Sequence, residues 1–197
     1  MKNSRIKIAI QKSGRLRAES INFLQSRGLV FDEESNNLII PCEGREIDII
    51  SIRDDDIPEY IFRGAVDFGI VGKNVIVEND IPVFGLENLN FGICNLTVAV
   101  PENSDIQTIG DLNGMRIATS YPRILSQFLQ KNRIHAAIIQ IRGATEITPK
   151  LNLADAICDL VQTGRTLKEN QIKELLTIMQ SQAVLIGAKP EPFNIDL

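Results

Sequence analysis

Short apolar runs alternate with amphipathic segments along this chain, which is typical of α/β proteins built on parallel strands. A first set of apolar runs covers residues 7–10, 47–52 and 67–71. A second set covers residues 115–119, 137–141 and 156–161, interleaved with a predicted helix over 122–132 and a shorter one near 148–151. The two sets predict two α/β lobes that are built alike.

Further extended segments predict how the lobes are connected. Residues 95–100 form a predicted strand between the two sets, and residues 176–179 and 183–186 return as another extended pair. We therefore expect a first lobe at 1–93 plus 180–197 and a second lobe at 94–179. Two lobes joined by two crossing strands leave a cleft at the carboxyl ends of their sheets, where open α/β sheets bind ligands.

Local signals place one helix more closely. Asp56 is predicted to cap its start, Pro58 lies in its first turn, and Gly64 ends it. The run of aspartates at 54–56 also resembles a metal-binding cluster, although a helix cap and favourable charge at a helix N-terminus explain it more simply.

Composition narrows the class of protein. With 197 residues, 44% of them hydrophobic, the chain can bury a substantial core. A net charge of −4 argues against a nucleic-acid partner. Residues 1–7 lack the apolar run of a signal peptide, and no 18 consecutive residues are apolar, so we expect a cytoplasmic protein with no membrane partner. Three widely spaced cysteines, expected to be reduced and structural, and one histidine leave little material for a zinc site or a Ser-His-Asp triad.

The most informative stretch is residues 154–167, where an apolar strand runs into a loop of small residues. Thr163, Gly164 and Thr166 offer hydroxyls and closely approachable backbone N–H groups, which can cradle a phosphate without a lysine. Asp155 and Asp159, both expected at the strand end, could bind ribose hydroxyls or hydrated Mg²⁺. The alternative is an ordinary strand followed by a capped turn.

Basic side chains follow the predicted strands of the first lobe. If these strands are parallel, their carboxyl ends place the basic residues along one edge of the sheet, where they could grip polyphosphate oxygens. Solvated loop positions are the alternative for any one of these residues, which are Lys12, Arg15, Arg53 and Lys73. Tyr121, beside a first-turn proline, could stack on a base or simply pack.

From Glu146 to Leu167 the chain resembles the signature of the ATP phosphoribosyltransferase family. The match consists of a glutamate, a spacer, and then Ala-Asp-Ala-Ile-Cys-Asp-Leu-Val-Gln-Thr-Gly-Arg-Thr-Leu. Residues 8–16, 52–58 and 116–122 resemble the same family. One departure is Asn152, where the family usually has glycine; asparagine tolerates positive φ better than most other residues.

The resemblance implies a periplasmic-binding-protein-like fold and the first reaction of histidine biosynthesis. In that reaction, N1 of the adenine of ATP attacks C1 of 5-phosphoribosyl 1-diphosphate, and diphosphate leaves. The nucleophile already carries a lone pair, so the enzyme mainly orients two polyanions and stabilises a cationic ribosyl transition state. Mg²⁺ is the implied cofactor, carried by the substrate diphosphate with no direct protein ligand unless Asp159 contributes.

The resemblance also assigns roles to particular residues. The catalytic candidates are Arg53, Asp159 and Glu146. The candidates for binding phosphoribosyl diphosphate are Asp155, Thr163, Gly164, Arg165 and Thr166. The candidates for binding ATP are Lys12, Arg15, Lys73 and Tyr121.

The implied partners are ATP, 5-phosphoribosyl 1-diphosphate and further copies of the chain, in a homodimer or a larger homo-oligomer. Family members occur in a long form with an added regulatory domain and in a short form that relies on a regulatory subunit related to histidyl-tRNA synthetase. The chain fits an unusual short form or a truncated long form. A rival hypothesis is a non-catalytic two-lobed domain that binds small anions, as in solute receptors. A second rival is a catalytic core that is inactive without its regulatory partner.

Overall fold

The computed structural model describes residues 5–193, and the chain divides into two compact units. One unit contains the chain up to Gly92 together with the chain from Gln182 onward, and the other is Ile93–Ser181. The predicted lobe boundaries lie within two residues of these bounds. The outermost parts of the predicted first lobe, 1–4 and 194–197, lie outside the described residues.

Strands and helices alternate through most of the described chain. In chain order they are β1 (Ile6–Gln11), α1 (Arg17–Ser26), β2 (Ile39–Pro41), β3 (Ile47–Ile52), α2 (Ile57–Phe62), β4 (Phe68–Gly72), α3 (Lys73–Asn79), β5 (Phe84–Asn88), β6 (Cys94–Pro101), β7 (Arg116–Thr119), α4 (Pro122–Lys131), β8 (Ala137–Gln140), β9 (Ala156–Val161), α5 (Arg165–Glu169), β10 (Ile172–Ser181) and β11 (Ala183–Gly187).

The sheet of the first unit has the strand order β2-β3-β1-β4-β11-β5. Its central strands β3, β1 and β4 are parallel, and β11 is antiparallel to both of its neighbours. Successive residues of β1 belong to different core clusters: Ile8 and Ile10 pack with Leu24 of α1, and Ala9 packs with Ile57 of α2. The central strand is therefore buried on both faces, which is why it reads as a continuous apolar run.

The sheet of the second unit has the order β10-β6-β9-β7-β8. Here β8, β7 and β9 are parallel, whereas β6 is antiparallel to β9 and to β10. Ala118 of β7 and Ile157 of β9 pack against Leu167 of α5 in one core cluster. This packing fixes α5 and the loop before it against the end of β9.

The short helix predicted near 148–151 is wrong. A 3-10 turn lies earlier, at Thr145–Ile147, and residues 148–152 continue as turns. The Thr148 hydroxyl donates to the Thr145 carbonyl at 2.7 Å, and Pro149 has no N–H to continue a helical ladder.

Residues 176–179 and 183–186, the extended pair that lies on either side of the predicted lobe boundary, belong to different sheets. They lie in β10, which pairs with β6, and in β11, which pairs with β4 and β5. Gln182 alone separates the two strands, so the chain passes from one unit to the other there.

The predicted cap of α2 is corrected in one respect. Gly64, at φ +69°, follows the helix and donates its N–H to the Ile61 carbonyl at 2.9 Å, as expected for a helix end. Asp56, however, makes no capping side-chain hydrogen bond, because its backbone already has helical angles at the end of a 3-10 turn over Asp54–Asp56. Within residues 5–193, no helix is long and apolar enough to cross a membrane.

Candidate functional site

The loop between β9 and α5 borders a pocket of about 270 Å³ in the second unit. The pocket is lined by residues of this loop, of the last part of β9 and of the Thr145–Ile147 turn. They include Thr145, Glu146, Asp159, Thr163, Gly164, Arg165 and Thr166. Six of these seven residues are site candidates from the sequence, so the fold brings most of the second-unit candidates to one place.

Gly164 shapes the loop. Its φ of +70° is in the left-handed region, where glycine has no steric penalty. Its carbonyl accepts the Lys168 N–H at 3.1 Å and so begins α5. Thr163, Arg165 and Thr166 are exposed, and the Arg165 guanidinium lies 2.7 Å from the Glu169 carboxylate. The hydroxyls and backbone of the loop are open to a ligand.

The Asp159 carboxylate is a half-buried charged group of the pocket. Its Oδ2 accepts a hydrogen bond from the Thr145 hydroxyl, and its Oδ1 accepts the Leu160 N–H at 2.7 Å. Burial raises the pKa of Asp159, the two hydrogen bonds oppose that rise, and the nearby Glu146 charge adds to it. The pocket therefore holds a carboxylate with two fixed oxygens and a half-buried neighbouring glutamate.

Thr145 was missed by the sequence analysis. It is completely buried, and it lies next to a residue that was singled out, Glu146. In the sequence, Thr145 is marked only by its position next to Glu146. No sequence pattern shows that its hydroxyl contacts Asp159, which lies 14 positions further along the chain.

The expectation that Asp155 lies with Asp159 at the strand end is wrong. Asp155 precedes β9, so the two residues are about 13 Å apart along the strand. The Arg116 guanidinium binds both Asp155 oxygens, at 2.8 and 3.1 Å, and the Arg116 N–H donates to one of them at 2.8 Å. These bonds lower the pKa of Asp155 and fasten the start of β9 to β7. Asp155 is therefore a structural residue at the opposite end of the strand.

Three of the four basic candidates in the first unit follow the carboxyl ends of parallel strands. Lys12 follows β1, Arg53 follows β3 and Lys73 begins α3 directly after β4, and all three side chains are exposed. The Lys12 N–H donates to the Ile52 carbonyl at 2.7 Å, which holds the ends of β1 and β3 together. The sheet thus places these three cations along one edge.

Arg15 differs from these three cations. It is half-buried, and its guanidinium donates a hydrogen bond to the Gly92 carbonyl. Space there is tight, because a β-carbon on Gly92 would lie 2.1 Å from Leu16 Cδ2. The hydrogen bond from Arg15 therefore stabilises Gly92, the residue at which the chain leaves the first unit.

A groove of about 530 Å³ in the first unit was not foreseen. Lys12, Gly14 and Arg17 line one side, and residues 33–37 line the other. The Arg17 guanidinium donates to the Ser51 hydroxyl at 3.1 Å and to the Glu33 carbonyl at 3.0 Å. Arg17 was missed because its sequence position on α1 is that of an ordinary surface helix residue.

The aspartate run at 54–56 has one unusual member. Burial and the neighbouring Asp55 charge raise the pKa of Asp54, whereas the Arg15 charge lowers it. Within residues 5–193, there is no group of three or more His, Cys, Asp or Glu side chains that could bind a metal ion.

Tyr121 lies at the start of α4 and is half-buried. Its backbone N–H donates to the Thr119 hydroxyl at 2.9 Å, and this hydrogen bond fixes the position of the Tyr121 backbone. Tyr121 does not line the pocket beside β9. The cysteines at 42, 94 and 158 are buried, and burial raises the pKa of Cys42 to about 11.

Comparisons with known proteins agree with the signature that these residues carry. The family model for HisG, ATP phosphoribosyltransferase, matches residues 53–194. ATP phosphoribosyltransferases of two Xylella fastidiosa strains, M12 and 9a5c, are each 44% identical to the chain over 95% of its length. The chain spans 65% of the length of these curated relatives.

Solved structures show the same fold. The ATP phosphoribosyl transferase (HisG:HisZ) complex from Thermotoga maritima includes a chain with a TM-score of 0.79 and 30% identity, over 93% of this chain and 87% of that one. The arginine-bound form of truncated ArgBP from T. maritima has a TM-score of 0.60 over 94% of this chain and 89% of that one, and at 13% identity it shows the periplasmic-binding-protein-like fold alone. By its sequence and its fold, the chain belongs to the ATP phosphoribosyltransferase family.

Proposed function

We propose that this chain joins N1 of the adenine of ATP to C1 of 5-phosphoribosyl 1-diphosphate and releases diphosphate, which is the first step of histidine biosynthesis. The observation that carries the proposal is the pocket beside β9, where a loop rich in hydroxyls and two carboxylates meet. Family membership supports the same reaction.

The loop suits the 5-phosphate of the ribose. Thr163 and Thr166 supply hydroxyl donors, and Gly164 lets the phosphate approach the backbone N–H groups closely. Arg165 adds a positive charge at the rim, since its side chain is exposed. Phosphate binding here needs no lysine within the loop.

The carboxylates suit the sugar and its transition state. Glu146 and Asp159 can accept hydrogen bonds from ribose hydroxyls, and their negative charges stabilise the positive charge that develops on the ribosyl ring. Adenine N1 attacks with its own lone pair, so neither carboxylate has to act as a strong general base.

Mg²⁺ fits this site as part of the substrate. Asp159 has both oxygens engaged by protein donors, and no metal-binding group of three side chains occurs among residues 5–193. We propose that Mg²⁺ arrives on the diphosphate, with Asp159 as a side chain that could also reach it. When bound, the ion neutralises charge on the leaving group.

The cations of the first unit complete the proposal. We assign Arg53 to the leaving diphosphate, because its guanidinium is exposed and it follows β3 at the edge where Lys12 and Lys73 also lie. Lys12, Arg15, Lys73 and Tyr121 are assigned to ATP. In this proposal the first lobe, at 1–93 plus 180–197, supplies the cations. The second lobe, at 94–179, supplies Tyr121 and the loop beside β9.

We further propose that the protein acts in the cytoplasm, which suits its buried thiols, and as a homodimer or a larger homo-oligomer. The HisG:HisZ complex from T. maritima supports an additional regulatory subunit related to histidyl-tRNA synthetase.

A diphosphate-release assay tests the activity. Diphosphate should form only when ATP, 5-phosphoribosyl 1-diphosphate and Mg²⁺ are all present, with the chain alone or with a regulatory subunit. The variant Asp159→Asn should slow release about 100-fold. Asp155→Asn, which changes the same group outside the pocket, should not slow it. Binding of phosphoribosyl diphosphate without release, in the presence of the subunit, would favour the small-anion binder.

A further inference from the structure

We propose that Thr145 is a positioning residue of the phosphoribosyl site: its hydroxyl fixes the Asp159 carboxylate in the orientation that faces the ribosyl ring. The inference rests on the proposed function, because that function supplies the ribosyl ring which Asp159 is said to face. Its geometric basis is independent, because it consists of hydrogen bonds and backbone angles within one turn and one strand.

Asp159 is held at both of its carboxylate oxygens. Thr145 Oγ1 donates to Oδ2, and the Leu160 N–H donates to Oδ1 at 2.7 Å. Two donors on different oxygens fix the rotation of a carboxylate about its Cβ–Cγ bond. The Leu160 donor is the backbone of the next residue, so among residues 5–193 it is the Thr145 hydroxyl that holds the carboxylate from outside its own strand.

Thr145 is itself held firmly. It is completely buried, and its carbonyl accepts both the Thr148 hydroxyl at 2.7 Å and the Thr148 N–H at 3.0 Å. Thr148 is buried as well. The hydroxyl that contacts Asp159 therefore comes from a turn with little freedom to move.

The backbone before Thr145 is strained. Ala144 has φ +33° and ψ +43°, a left-handed conformation that is unfavourable for a residue with a β-carbon. Strain of this kind persists only where surrounding contacts enforce it, and it concentrates at functional sites. Here it lies immediately before the residue that contacts the pocket carboxylate.

Electrostatics supports the same reading. Asp159 lies in a buried position beside Glu146, and both surroundings disfavour its ionised form. The Thr145 hydroxyl opposes them by lowering the pKa of Asp159, so it favours the ionised carboxylate as well as orienting it.

The test compares Thr145→Val, which removes the hydroxyl at nearly constant volume, with Thr145→Ser, which keeps it. In Thr145→Val, turnover should fall about tenfold while the KM for phosphoribosyl diphosphate changes less. The acidic limb of the pH–rate profile should move to higher pH, and a carboxyl NMR titration should show the same rise for Asp159. Thr145→Ser should restore all of these values.

Thr97→Val is the matched control. Thr97 lies opposite Asp159 in the β6–β9 register and is buried, but its hydroxyl is 3.4 Å from that of Thr177. This variant should leave the Asp159 titration and turnover unchanged. An unchanged Asp159 titration in Thr145→Val, or a serine variant that behaves like valine, would overturn the proposal.

The experiments also distinguish failure of the proposed activity from failure of a variant to fold. If the wild-type protein releases no diphosphate, the proposed function fails, but the NMR titration still reports whether Thr145 controls Asp159. If Thr145→Val does not fold, Thr145→Ala provides the hydroxyl-free variant. Failure of both to fold, while Thr97→Val folds, would make Thr145 a structural residue and refute the positioning role.

Discussion

Asp155 and Asp159 carry the same side chain in opposite electrostatic surroundings. Arg116 stabilises the ionised form of Asp155, whereas burial and the charge of Glu146 destabilise that of Asp159. A carboxylate kept where its charge is unfavourable is typical of a functional site, and one neutralised by arginine is typical of a structural contact. The two residues therefore make a matched pair for mutation.

Asp159→Asn is expected to lower turnover by about 100-fold, because an amide cannot supply the negative charge that a cationic transition state requires. Asp155→Asn should leave the kinetic constants nearly unchanged and reduce the free energy of unfolding by less than about 1 kcal/mol, since the ion pair with Arg116 is partly exposed. Steady-state kinetics and thermal unfolding measure both effects. Equal losses of turnover in the two variants would contradict the separation.

The same pair should respond to pH with opposite signs. Arg116 depresses the folded-state pKa of Asp155, so the stability that this residue contributes is present above its ordinary pKa of 3.8 and is lost as the pH falls through the folded value. The folded-state pKa of Asp159 is raised, so its ionisation reduces stability as the pH rises through that value. Relative to wild type, Asp155→Asn should be least stable near neutral pH, whereas Asp159→Asn should be most stable there. Unfolding midpoints measured from pH 3 to 8 check both signs.

Arg53→Ala and Arg15→Ala should differ in their effect on stability. Arg53→Ala should leave the melting temperature unchanged, because an exposed cation contributes little to folding. Turnover should fall if the guanidinium meets the leaving diphosphate. Arg15→Ala should cost about 1 kcal/mol of stability, because the bond to the Gly92 carbonyl is lost. If Arg53→Ala leaves every kinetic constant intact, Arg53 is only a solvated residue.

At the scale of elements, the loop between β9 and α5 depends on one backbone conformation. Gly164 has positive φ, and a β-carbon there would lie 3.6 Å from the Glu174 carboxylate, which is an ordinary contact. Substitution is therefore limited by backbone strain and by intrusion into the pocket, not by collision with the protein.

Gly164→Ala should lower stability by about 1 kcal/mol and weaken the binding of phosphoribosyl diphosphate. Gly164→Asn should lose less stability, because asparagine tolerates the left-handed region, yet it should bind equally poorly since its side chain occupies the phosphate approach. Calorimetric titration and denaturant unfolding give the two quantities. Binding that recovers together with stability in Gly164→Asn would mean that the loop matters only for folding.

The pattern of apolar residues predicted strands correctly where burial in the core determines the secondary structure. The run 156–161 was predicted with the bounds of β9, because a strand buried on both faces is apolar at nearly every position. It could not predict that Asp155 pairs with Arg116, since that contact joins residues 39 positions apart. Nor could it predict which strands residues 176–179 and 183–186 pair with, because both segments are extended whichever neighbour they join.

At the scale of the whole molecule, the two units are built on similar principles but offer different groups. The first unit places cations after parallel strands, and the second places carboxylates and hydroxyls around β9. Charge of both signs suits a reaction between two polyanions through a cationic transition state. A receptor for a single small anion has no evident need for the two pocket carboxylates.

Ligand-dependent stability distinguishes these functions. Phosphoribosyl diphosphate with Mg²⁺, at about 100-fold over its dissociation constant, should raise the melting temperature by about 5 °C, because binding to the folded state stabilises it by about 2.7 kcal/mol. Arginine and sulfonates serve as control ligands and should have no effect. Stabilisation by either control, without an effect of phosphoribosyl diphosphate, would support the receptor hypothesis.

The position of β11 has a consequence for synthesis on the ribosome. β11 lies between β4 and β5, although it is the last strand in the described chain. Until residues 183–187 leave the exit tunnel, the nascent first sheet has an unpaired edge along β4, and unpaired edges recruit other chains. The partner of Gly72 is Ala183, so this pairing closes a very long loop and forms slowly. Translation products that stop before residue 183 should therefore aggregate, whereas products that extend past residue 187 can complete the sheet.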